Sequence, residues 1–87
     1  VSDQAILDWI PRLAQKSGVF AEPAAVTAVA GIEAAQQSGI IKPSETAVAV
    51  ISGTGLKDIK NAMRTVSRPE PLAPSLEAVQ HRVRNLD

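Results

Sequence analysis

The chain has 87 residues, nine basic against nine acidic side chains and therefore no net charge, and its only aromatics are Trp9 and Phe20. Without a basic stripe, or aromatic rings to interleave with one, nucleic acid is a poor partner. Cysteine is absent, which excludes disulfides, thiolate metal sites and cysteine nucleophiles.

Apolar residues make up 45% of the chain, so a modest core is available, but it has to be assembled from Ala, Val, Ile and Leu. No uninterrupted apolar stretch reaches membrane-spanning length, and no basic segment followed by an apolar run opens the chain. Cytoplasm is the expected compartment, with no membrane partner.

Residues 3–17 are predicted to form a helix. Ile6, Leu7, Ile10, Leu13 and Ala14 recur at three- and four-residue spacing and share one face. Ser2 or Asp3 suits the N-cap, and Gly18 suits a left-handed C-terminus. Pro11 predicts either a kink near Asp8 or a helix that starts again at Pro11, because an internal proline loses a hydrogen bond and crowds the preceding turn. Trp9 lies off the apolar stripe and is expected to be partly buried.

Val19-Phe20-Ala21 reads as a short apolar connector. Pro23 announces a second helix running to about Ser38, closed by Gly39. Its interior, Ala24 to Ile32, is apolar or small on all sides, the pattern of a buried helix. Ile40 to Glu45 follows as a connector with a proline turn signal.

The most informative stretch is Ala47-Val48-Ala49-Val50-Ile51-Ser52-Gly53-Thr54-Gly55. A short apolar run bounded by turn residues predicts a strand over Thr46 to Ser52, buried on both faces. Chemistry in open α/β sheets gathers beyond the carboxyl ends of such strands, here Ser52 to Gly55. A lone strand cannot satisfy its own backbone, so this one and the all-apolar second helix both imply elements beyond this chain.

A short helix is predicted from about Asp58 to Val66, with Ile59, Ala62, Met63 and Val66 on one face. Ser67 to Pro74 carries three prolines and is expected to run extended. A last helix covers about Ser75 to Leu86, with Leu76, Val79, Val83 and Leu86 as its stripe.

The Ser52–Gly55 loop is open to two readings, an anion cradle or a plain tight turn. It matches neither the dinucleotide fingerprint nor the P-loop. Glu22 stands in apolar surroundings and is either a buried carboxylate with a raised pKa or a helix-start contact to free N–H groups. His81 reads as a solvated surface histidine with no second ligand at metal spacing, so no metal site is expected. Lys42, Lys57 and Lys60 read as exposed charges.

Three blocks together resemble the threonine synthases, within the tryptophan-synthase-β-like (fold type II) pyridoxal-phosphate enzymes. Val1-Ser2-Asp3-Gln4-Ala5-Ile6 is similar to the family's V-S-D-x-x-I helix opening. Gly18-Val19-Phe20-Ala21-Glu22-Pro23-Ala24-Ala25, continuing to Ala30-Gly31, is similar to its G-x-F-x-E-P-A-S-A-A…A-G block. Ser52-Gly53-Thr54-Gly55-Leu56-Lys57-Asp58 is similar to its T-G-x-G-L-K-D block, and this last word separates threonine synthases from the dehydratases.

The resemblance implies an α/β fold. Residues 1–87 would be the C-terminal portion of the large, three-layer cofactor domain, an incomplete unit of about four helices and one buried strand. It implies pyridoxal 5'-phosphate as cofactor and a lyase of threonine biosynthesis that turns O-phosphohomoserine and water into threonine and phosphate. Ser52 matches the family hydroxyl, usually threonine, that hydrogen-bonds the cofactor's pyridine nitrogen. Glu22 matches a glutamate near the ring, and Gly53 and Thr54 complete the cofactor-binding set. Thr54 stands where histidine or asparagine is frequent, and Ala25 where serine is frequent.

The family's Schiff-base lysine, phosphate loop and substrate-phosphate residues have no match here, so no catalytic residue falls in this segment and the chain alone is expected to be inactive. The expected partners are the remainder of its own polypeptide and, for that parent, a second copy. The isolated chain is expected to associate through its strand edges and alanine-rich helix. Two alternatives stand beside this reading. One is another reaction of the superfamily, hydroxyamino-acid deamination or cysteate formation. The other is a non-catalytic helical interaction module.

Overall fold

A computed structural model describes residues 1–86. Helix α1 spans Asp3–Ser17, α2 Pro23–Gln37, a 3-10 turn Gly55–Asp58, α3 Ile59–Met63 and α4 Leu76–Arg84. The first two follow the sequence closely. The Ser2 hydroxyl accepts the Ala5 N–H at 3.1 Å and caps α1. Gly18 ends it at φ +75°, a left-handed conformation that costs a residue without Cβ nothing, and donates its N–H to the Ala14 carbonyl. Helix α1 passes through Pro11 without a break, so a restart at that residue is not seen. Pro23 occupies the first turn of α2, where its missing N–H needs no partner.

The two helices pack side by side. Ile10, Ala21, Ala25 and Val26 are buried at their junction, with Ile6, Leu7, Trp9, Leu13 and Ile51 packed around them. A clasp closes the outer edge of the joint. The Trp9 indole Nε1 donates to Glu33 Oε2 at 2.6 Å, and the Arg12 guanidinium lies 3.8 Å above the Trp9 ring and 3.4 Å from Glu33 Oε1. Trp9 is thus partly buried, as its position off the stripe implied.

Two expectations are corrected. Residues 46–52 do not form a buried strand, and no strand occurs among the described residues. None of these seven residues takes part in a backbone hydrogen bond among the described residues, and Val48 and Val50 are 84% and 75% exposed. The reason is the one that made the stretch conspicuous: a strand exists only through its neighbours, and none is present. Ile51 alone reaches the core.

Helix α2 is not buried on every side. Ala25, Val26 and Ala30 are buried, whereas Ala24, Thr27, Ala28 and Ala34 face outward, because α1 and the residues around Ala21 cover a single flank. The α/β character read from the sequence therefore has no counterpart here, and what stands is a helical segment.

The C-terminal elements are shorter than their patterns implied. A 3-10 turn precedes α3, which ends at Met63 rather than Val66, and α4 ends at Arg84 rather than Leu86. Helix α4 buries no side chain and stands off on the proline-rich strap. The radius of gyration is 16.8 Å, against about 12 Å for a compact chain of this length, so the molecule is drawn out. No helix is long and apolar enough to cross a membrane among the described residues.

Candidate functional site

The structure brings two of the sequence blocks together. Ala21 and Thr54 form an antiparallel bridge, flanked by a hydrogen bond from the Glu22 N–H to the Gly53 carbonyl (3.0 Å) and one from the Gly55 N–H to the Phe20 carbonyl (3.1 Å). The glycine loop is thereby held against the start of α2. In such a pairing, residues directly opposite share a face, which sets Glu22 across from Gly53 and Phe20 across from Gly55. Both glycines are buried. A Cβ added at Gly53 would overlap the Glu22 carboxyl group, and one added at Gly55 would overlap one edge of the Phe20 ring. The glycines are required by close approach and not by backbone angle, since neither has positive φ.

Glu22 is half-buried and is the N-cap residue of α2 by its backbone, its carbonyl accepting the N–H groups of Ala25 and Val26 at 3.0 Å. Its carboxylate makes no capping bond, so the helix-start contact allowed by the sequence is not formed. The Ser52 hydroxyl is exposed and has no hydrogen-bond partner among the described residues. Thr54 is also exposed, but its hydroxyl is engaged in accepting the Leu56 N–H at 3.4 Å, which caps the 3-10 turn. Of the four candidate residues, then, Glu22, Gly53 and Thr54 meet across the bridge, and Ser52 stands at its open end.

The motif's last residue has a local task. Asp58 Oδ1 accepts the Asn61 N–H at 3.3 Å and Oδ2 accepts the Asn61 side-chain amide at 2.9 Å, capping α3. The Asn61 side chain and backbone hold the Asp58 carboxyl below the usual carboxylate range, with a smaller contribution from Lys60. Phe20 and Asn61 were not read as site-supporting residues from the sequence. Phe20 lay in what looked like a connector, and the alternation of Phe20 and Glu22 opposite two glycines was the signal that could have found it.

Lys42, Lys57 and Lys60 are exposed, as is His81. No cluster of three metal-ligating side chains occurs among the described residues.

The residues present fit one side of a planar heteroaromatic cofactor. The Ser52 hydroxyl is exposed and free to meet a ring nitrogen, and the Glu22 carboxylate lies in the space over Gly53 that a side chain would take.

No family model matches the chain. Among curated proteins it is similar to the threonine synthase of Halalkalibacterium halodurans, 44% identical over 77 residues that make up 88% of this chain and 22% of that protein. It is 50% identical to the threonine synthase of Bacillus sp. (strain ULM1) over 67% of this chain and 16% of that protein. Against the threonine synthase of Methanocaldococcus jannaschii it is 38% identical over 79% of this chain and 17% of that protein.

The resemblance to the threonine synthases holds over most of the chain, which spans about a fifth of the length of the curated relatives it matches.

Proposed function

We propose that this chain is the C-terminal segment of a threonine synthase-like lyase, part of the α/β cofactor domain of a cytoplasmic, homodimeric parent that converts O-phosphohomoserine and water to threonine and phosphate. The observation that carries this reading is the Ala21–Thr54 bridge, which unites the two motif blocks into one surface. When bound, pyridoxal phosphate supplies a ring that withdraws electrons from the substrate's α-carbon.

The chain's own residues act on one side of that ring. The Ser52 hydroxyl offers a neutral hydrogen bond at the ring nitrogen, and a neutral partner, unlike a carboxylate, does not require that nitrogen to be protonated. Gly53, lacking a side chain, leaves the room that the Glu22 carboxylate occupies. Glu22 sets a negative charge beside the ring. Thr54, spent on its own turn, shapes the loop.

The test is phosphate release from O-phosphohomoserine. The polypeptide that carries this segment in its source organism is expected to release phosphate only with pyridoxal phosphate present, and the 87-residue chain to release none. Deamination of threonine or serine by that polypeptide, with no phosphate released, would assign the segment to a dehydratase instead. Ser52→Ala is expected to weaken cofactor binding and shift the bound cofactor's absorption maximum, while Ser52→Thr leaves both near wild type.

A further inference from the structure

The two glycines of the loop are unequal, and the difference assigns a role to a residue outside the proposed cofactor set. The atoms that would obstruct a Cβ at Gly53 belong to the end of the Glu22 side chain, which has three rotatable bonds and can swing away. Those that would obstruct one at Gly55 belong to the Phe20 ring, a rigid plate. Phe20 is held from both ends of its residue: its carbonyl accepts the Gly55 N–H at 3.1 Å, and its ring lies across the Gly55 backbone. An aromatic side chain covering a glycine directly opposite it is a device that pins register, since a shift of one residue would set the ring against a side chain.

The geometry points to Phe20 as a positioning residue that, through its ring over Gly55, fixes the register of residues 53–55 against 20–22 and so decides where Ser52 stands relative to Glu22. This rests on the reading in which that loop faces pyridoxal phosphate. Phe20 itself does not touch the cofactor in this scheme. Its ring borders an apolar groove formed with Ile10, Ala14 and Met63.

The test uses the full polypeptide that carries this segment, with Phe20→Ala, Phe20→Leu, Gly55→Ala and the double variant Phe20→Ala/Gly55→Ala. Two readouts are taken: heat unfolding without cofactor, and titration with pyridoxal phosphate followed by its absorption spectrum. Gly55→Ala is expected to lower the melting temperature sharply in the wild-type background and much less in the Phe20→Ala background. Phe20→Ala is expected to weaken cofactor binding about tenfold and to shift the bound spectrum, with Phe20→Leu recovering most of both. Should Phe20→Ala not fold, Phe20→Met carries the same comparison.

Additive losses of melting temperature overturn the interlock. A folded Phe20→Ala protein with unchanged cofactor affinity and spectrum overturns the positioning role. A wild-type polypeptide that takes up no pyridoxal phosphate overturns the functional reading instead, and the melting cycle still decides the interlock on its own.

Discussion

Residues 3–38 and residues 40–86 are both rich in Ala, Val, Ile and Leu, yet of the six buried apolar side chains among the described residues only Ala62 lies in the second region. The first region is a helix pair whose apolar faces meet each other. The second presents Val48, Val50, Leu76, Val79 and Val83 to solvent. Apolar residues are somewhat fewer in the second region, but the larger difference is the availability of a facing surface. A helix satisfies its backbone internally and needs only a partner for its stripe, so α1 and α2 complete each other. An extended segment needs partners for its backbone as well, and residues 46–52 find none.

The contrast should be widest in amide hydrogen exchange. The amides of α1 and α2 are expected to be protected and those of 46–52 and 67–74 to exchange at near-unfolded rates, because local stability follows buried contacts and internal hydrogen bonds. Uniform protection across the chain would dissolve the distinction. Next in size, Ile10→Ala is expected to cost about 2–5 kcal/mol in urea unfolding, the range for emptying a packed aliphatic site. The matching truncation Val50→Ala should stay within about 0.5 kcal/mol, as for an exposed position.

The clasp offers a smaller effect. Glu33→Ala removes the acceptor for the Trp9 indole and the partner of Arg12, with an expected loss of about 0.5–1.5 kcal/mol that falls toward the lower figure because both charged groups are partly exposed.

The smallest effect is the pH response of Asp58. Its carboxyl is held below its ordinary value of 3.8, so its stabilising contribution is fully present above that value and is lost as pH falls through the lowered one. Asn61→Ala should reduce this part of the acid sensitivity of α3, the backbone N–H of residue 61 retaining the remainder, measured as helix content on acidification.

The helical part of this architecture was legible in the sequence because its signals are local. Ser2, Gly18 and Pro23 punctuate α1 and α2 at or within a residue of where they begin and end. The strand expected over residues 46–52 is not seen because five apolar residues in a row report a preference for burial, and whether burial follows depends on elements distant in sequence. The candidate site was half legible. Gly53, Thr54 and Glu22 could be named from their motifs, but nothing local said that residue 21 pairs with residue 54, and Phe20 was passed over for that reason. Asp58 could be named as a motif residue, though its bond to Asn61 emerged only from the turn between them.

One consequence of the clasp between α1 and α2 is optical. Trp9 is the sole tryptophan, and the chain has no tyrosine. Its indole is fixed between a carboxylate and a guanidinium at the joint of the two helices. Intrinsic fluorescence above 295 nm excitation, a wavelength chosen on the order of the indole absorption edge, therefore comes from that joint alone. Opening the clasp releases the indole to water and shifts its emission to longer wavelength, while motions of α4 leave it silent.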